Sequence, residues 1–196
     1  VDRDLGSIIS DIEDKLDTLA FPEGYSYSIG GQAEDMMESF QQLTMALIFS
    51  IFLVYAVMAV QFENFLHPFI IMFSLPATVV GVLLGLYVTN IPLSIPAFIG
   101  VIMLAGIVVN NAIVLVDYIN ILRRRGQERT EAILTAGPNR LRPILMTTLT
   151  TVLAMIPLAL GLGEGAEAQQ PLAIVIIFGL TVSSIFTLLL IPVVYT

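Results

Sequence analysis

Apolar residues run through this chain in long blocks rather than in alternation. Five blocks predict helices over about 41–61, 65–89, 92–122, 141–162 and 170–195. Each reaches the roughly 20 residues that a helix needs to cross a hydrocarbon core. Their apolar centres, such as "LTMALIFSIFLVYAVMAV" at 43–60 and "PILMTTLTTVLAMIPLALGL" at 143–162, hold no Asp, Glu, Lys or Arg. Buried helices of water-soluble proteins are shorter and polar along one side, so the blocks predict membrane spans. Ahead of them the period changes. Leu5, Ile8, Ile9, Ile12, Leu16 and Leu19 recur at helical steps, which predicts a helix over 4–20. "FPEG" then turns the chain, and Tyr25, Tyr27 and Ile29 alternate with serines, which predicts a strand over 25–29. One helix and one strand bury too little apolar area to fold alone. The expected fold is an all-α polytopic membrane bundle of five transmembrane helices, preceded by a short α/β piece. The expected boundary separates 1–31 from a membrane domain at 32–196.

Charge adds a direction. The chain is 57% hydrophobic and 12% charged, with a mean hydropathy of +0.91. Residues 1–40 hold ten acids against two bases, which accounts for the whole net charge of −8. The other bases are six arginines (Arg123, Arg124, Arg125, Arg129, Arg140 and Arg142), all between the third and fourth blocks. By the positive-inside bias, an amphipathic linker at about 123–140 is cytoplasmic. Counting outward, the N-terminal segment is extracytoplasmic and the C-terminus cytoplasmic. A first residue outside the cell without an export signal implies an upstream part of the polypeptide.

The lipid bilayer is the expected surrounding partner, and the acidic surplus offers nothing to nucleic acid. With no cysteine, disulfides and thiolate metal sites are excluded. No nucleotide motif, metal cluster or nucleophile–base arrangement is present, so no enzyme activity, cofactor or metal is expected. His67, beside Pro68, reads as an interfacial residue.

Small residues within the spans suit close helix packing. Gly81 and Gly85 form a GxxxG pair, Gly100 and Gly106 lie in the third span, and Gly179 and Ser183 in the fifth. Pro76 and Pro157 are expected to kink their spans.

Polar residues in the third and fourth spans carry the candidate chemistry. A rise of about 1.5 Å per residue puts Asn110 roughly 20 Å from Arg123, near mid-membrane, and Asp117 about 9 Å from it. Asn110, Val114 and Asp117 share one helix face. In "RLRPILMTTLTT", Arg140 and Thr147 share another, with Thr151 one turn beyond and Thr148 adjacent. A buried amide without a partner is costly in hydrocarbon, so both stripes are expected to face the bundle interior. They serve either as interhelical hydrogen-bond contacts or as an ion pathway.

"GIVVNNAIVLVDYINILRRRG", "RLRPILMTTLTT" and "GGQAEDMMESFQQL" together resemble the resistance–nodulation–division (RND) superfamily, most closely its hydrophobic/amphiphilic efflux branch of multidrug exporters. The resemblance covers essentially the whole chain. It implies the end of an extracytoplasmic porter domain followed by transmembrane helices 8–12 of a bacterial inner-membrane antiporter driven by the proton motive force. Such exporters carry an acidic pair on helix four, in the N-terminal half of the same transporter, facing helices ten and eleven. The resemblance assigns Asn110, Asn111, Arg140 and Thr147 to the ion-coupling relay; the residue pattern itself leaves Asp117, Thr148 and Thr151 as secondary candidates and Gly81, Gly85 and Gly106 in helix packing. Asn110 departs from the pattern, since drug exporters of this kind carry a lysine there. A homotrimer, a periplasmic adaptor and an outer-membrane channel are the implied partners. The expected cargo is amphiphilic or hydrophobic: drugs, detergents or lipopeptides. Three alternatives stay open: a superfamily relative assisting protein secretion, one exporting lipid or metal, and a non-transporting membrane scaffold.

Overall fold

The computed structural model describes residues 5–19, 31–63, 65–72 and 74–195. The elements are α1 (Leu5–Asp17), α2 (Gln32–Phe62), α3 (Leu66–Met72), α4 (Ser74–Thr89), α5 (Ile95–Arg124), α6 (Arg129–Ala159), a 3-10 turn (Ala166–Gln169) and α7 (Gln170–Tyr195). The expected α/β piece is not seen. Every regular element among the described residues is a helix, and the residues expected as a strand at 25–29 lie outside them. Five alternating residues make a strand only when another strand completes the hydrogen-bonded ladder, and the described residues supply none.

The chain divides into two units between Ala46 and Leu47. In the first unit, α1 leaves Ile8 and Ile12 of its apolar stripe exposed. Glu34 and Asp35 occupy the first turn of α2, where carboxylates complement the helix dipole.

In the second unit α7 packs against α4, α5 and α6. Glycines set how closely two of these contacts form. A Cβ at Gly81 would stand 2.8 Å from Val182 Cβ and 3.0 Å from the Phe178 carbonyl oxygen; one at Gly85 would stand 2.6 Å from Phe178 Cβ. A Cβ at Gly179 would collide with Leu104 of α5, whereas one at Gly106 would meet nothing within 4 Å. The seam of α4, α5 and α7 is filled by Val82, Leu86, Leu104, Val108, Val175 and Leu180. A second apolar cluster joins Ala112, Val116, Ile119 and Leu122 of α5 to Ala132, Ala136 and Ile144 of α6, with Met58 and Ile71.

Helices α4, α5 and α6 end in the same way. The residue after each cap has a positive φ (Asn90 54°, Gly126 94°, Gly161 66°). The next backbone N–H then reaches back to an orphan carbonyl: Ile91 to Leu86 at 3.1 Å, Gln127 to Leu122 at 3.3 Å and Leu162 to Pro157 at 3.1 Å. Left-handed caps of this kind satisfy carbonyls that water cannot reach. They turn the chain within a few residues and make α5 and α6 a tight hairpin. Most of the linker expected at 123–140 is therefore the start of α6. Ala132 and Ala136, four residues apart, bury that face against α5. Pro138, Pro143 and Pro157 sit inside α6. Pro76, by contrast, falls in the first turn of α4, where a missing N–H removes no helical bond.

Among the described residues, five helical stretches are long and apolar enough to cross a membrane: Glu34–Phe62, Leu66–Thr89, Ile95–Arg124, Arg129–Ala159 and Ala166–Leu189.

Candidate functional site

The α5–α6 hairpin brings Tyr118 and Arg140 together. The Arg140 guanidinium carbon lies 4.4 Å above the centroid of the Tyr118 ring. A cation over an aromatic face is held by the ring quadrupole, more strongly as water is excluded. Asn139 Nδ2 reaches the Tyr118 hydroxyl at 3.5 Å, the limit of hydrogen-bonding distance. Arg140 Nε is buried and has no hydrogen-bond partner.

Seven residues further from the hairpin turn, about 10 Å along each helix, α5 carries Asn111 and α6 carries Thr147. Asn111 is buried, at 8% exposure, and Asn110 beside it is exposed. The same division separates two threonines. Thr148 is buried and shares a 2.8 Å hydrogen bond with Ser184 of α7. Thr147 and Thr151 instead bond within their own helix: Thr147 Oγ1 donates to the Ile144 carbonyl and Thr151 Oγ1 to the Thr147 carbonyl, each at 2.9 Å. On α7, Ser183 and Thr187 are also buried, with hydroxyls that have no hydrogen-bond partner.

The polar residues thus fall into two sets. Asn111, Thr148, Ser183, Ser184 and Thr187 are enclosed by this bundle, whereas Asn110, Asp117 and Thr147 are exposed on it. Asn110 lines an apolar groove of about 270 Å³ with Gly106 and Ile113 of α5 and Val54, Val57 and Met58 of α2. Asp117 lines a wider polar cleft with Asn120, Arg123, Arg124 and Gln127. His67 lines that cleft too, its ring 5.8 Å from that of Phe62. Among the described residues, no hydrogen bond joins Asn110, Asn111 or Asp117 to Arg140 or Thr147.

Sequence reasoning missed Tyr118, Ser184 and Thr187. Each left a trace in the periodicity. Tyr118 is seven residues from Asn111 and so shares its face, while Ser184 and Thr187 are three residues apart in an otherwise apolar run. Among the described residues, no group of three or more His, Cys, Asp or Glu side chains is placed to hold a metal ion.

A bundle of helices long and apolar enough to cross a membrane, with polar residues enclosed among them, is the class of fold found in multi-pass membrane proteins. The chain belongs to the AcrB/AcrD/AcrF family, within the RND superfamily of efflux transporters; the family model matches residues 1–196. The swarming motility protein SwrC of Bacillus subtilis is 45% identical over 185 residues, 94% of this chain and 18% of that protein. The multidrug resistance protein MdtC of Erwinia tasmaniensis is 40% identical over 185 residues, again 94% of this chain and 18% of that protein. The cobalt-zinc-cadmium resistance protein CzcA of Cupriavidus metallidurans is 34% identical over 194 residues, 98% of this chain and 18% of that protein. A crystal structure of a heavy metal efflux pump superposes with a TM-score of 0.83 at 29% identity, over 100% of this chain and 19% of that one. This chain therefore spans under a fifth of the length of these relatives.

Proposed function

We propose that these helices are the C-terminal half of the ion-coupling bundle of a secondary active exporter, driven by proton antiport across the bacterial inner membrane. The observation that carries this reading is the division of the polar residues. Asn110, Asp117 and Thr147 are exposed on a bundle that encloses Asn111, Thr148, Ser183, Ser184 and Thr187. At membrane depth the Asn110 amide needs a partner, and acids on a span of the N-terminal half would supply it. Protonation of those acids changes their demand for hydrogen-bond donors. Asn110 donates to a carboxylate but does not neutralise it, while Arg140 offers a fixed positive charge nearer the arginine-rich hairpin. A change of partner on α5 and α6 would reach α7 through the Thr148–Ser184 bond and its neighbouring apolar seam.

On this reading the arginine-rich hairpin faces the cytoplasm, and α2 links the bundle to an extracytoplasmic porter region. The complete transporter works as a trimer with a periplasmic adaptor and an outer-membrane channel. The cargo is amphiphilic or hydrophobic. Reconstitution of the full-length protein in proteoliposomes with a pH gradient tests the reading. Amphiphile efflux accompanied by counterflow of protons is the expected result, and efflux indifferent to a protonophore would overturn it.

A second reading, export of divalent metal, is favoured by the likeness to CzcA and to the heavy metal efflux pump. The same vesicles loaded with zinc, cobalt or cadmium separate the two. Because the described residues offer no metal-ligand cluster, metal export would require cargo ligands elsewhere in the protein.

A further inference from the structure

We infer that Tyr118 is a positioning residue for Arg140, and that its ring face, rather than its hydroxyl, does the positioning. The inference deepens the ion-coupling reading above and rests on it. Two observations carry it. The guanidinium sits 4.4 Å over the ring centroid, and Arg140 Nε is buried with no hydrogen-bond partner. An arginine has several rotatable bonds and five donors. Left to itself in a partly buried position, it would turn toward backbone carbonyls or snorkel to water. Here the ring holds the plane of the guanidinium while forming no hydrogen bond with it. The donors stay available to an anion, and the direction in which they point is fixed.

The local fold makes this arrangement rigid. The left-handed cap at Gly126 closes the α5–α6 hairpin. Ala132 and Ala136, both at 0% exposure, draw the start of α6 onto α5. The Asn139 contact with the Tyr118 hydroxyl, at 3.5 Å, is too long to contribute much by comparison. The ring is therefore a platform that orients a partly buried cation without neutralising it. A carboxylate facing it would meet a pre-oriented donor whose charge favours its ionised form.

The test uses the full-length transporter in proteoliposomes. Tyr118→Phe keeps the face and loses the hydroxyl, and it should transport within about twofold of the unaltered protein. Tyr118→Leu removes the face, and maximal transport rate should fall tenfold or more with the apparent KM for cargo unchanged, since no cargo contact is altered. Incorporation at position 118 of phenylalanine bearing one, two and then three ring fluorines weakens the quadrupole with little change of shape. Transport should fall stepwise along that series. This arm keeps the proposal testable if Tyr118→Leu does not fold. A flat response across the series, or transport by Tyr118→Leu equal to the unaltered protein, would overturn it. Arg140→Ala distinguishes the two levels of the argument. If it leaves proton-coupled transport intact, the coupling role of Arg140 fails as well. If it abolishes coupling while the fluorinated series is flat, only the role of Tyr118 fails.

Discussion

Thr148 on α6 and Ser184 on α7 share a hydrogen bond of 2.8 Å between two fully enclosed hydroxyls. Lipid provides no competing water, yet each hydroxyl has an alternative in the backbone carbonyl one turn back on its own helix. The net worth of the pair is therefore modest. A double-mutant cycle of Thr148→Val and Ser184→Ala, followed by unfolding in micelles, should give a coupling energy of about 0.6 kcal/mol and no more than about 1.7 kcal/mol. A coupling of zero would mean that each hydroxyl has gone back to its own helix.

The glycines separate sharply by what surrounds them. Gly81→Ala would press a methyl against the Phe178 carbonyl oxygen and the Gly179 Cα, at 3.0 and 3.1 Å. Backbone cannot swing aside as a side-chain end can, so the variant should lose about 1–3 kcal/mol, as overpacked cores do. Gly106→Ala meets open space. It should be neutral or gain up to about 1 kcal/mol from helix propensity. Thermal denaturation of the two purified variants checks the contrast.

The loop chemistry predicts sidedness. The hairpin cap at Gly126 puts Gln127 beside the arginine cluster, whereas Glu164 lies in the acidic turn between α6 and α7. This stretch has no cysteine of its own. In a full-length protein otherwise freed of cysteine, Gln127→Cys should react with a membrane-impermeant maleimide only in inside-out vesicles. Glu164→Cys should react only in intact, right-side-out preparations. Reversed labelling would invert the orientation argued from the arginines.

The spans were legible because length and apolarity alone define them, and neither depends on a neighbour. Residues 25–29 were less so, because a strand is a property of a pair. The start of α6 fell inside the expected linker at 123–140; in the structure Pro138 and Pro143 lie within a continuous helix that Ala132 and Ala136 anchor to α5. The candidate site was half legible. Periodicity put Asn110 and Asp117 on one face and Arg140 and Thr147 on another, and both were expected to face the bundle interior, but periodicity does not fix which face this chain encloses. That depends on where α7 packs, and the structure encloses Asn111 and Thr148 instead of their neighbours. Tyr118 stayed hidden for a similar reason. A tyrosine near a membrane edge is ordinary, and only the hairpin register reveals the arginine above its ring.

Asn110 allows the most direct test of the coupling proposal. It is exposed on the described bundle, so Asn110→Ala should leave expression and thermal stability unchanged while abolishing cargo export. Unaltered export would remove Asn110 from the relay. Asn110→Lys probes the same position with the opposite emphasis. A cation there favours the ionised form of any carboxylate facing it and so lowers that carboxylate's pKa. Proton loading would then need a more acidic medium, and the pH profile of transport should move to lower pH. The shift should disappear when the facing acids of the N-terminal half are changed to their amides. A profile that stays in place with lysine at 110 would mean that the acids load their proton out of reach of this residue. Rates measured across pH in vesicles, with substrate saturating, distinguish the outcomes because only the protonation step is then being titrated.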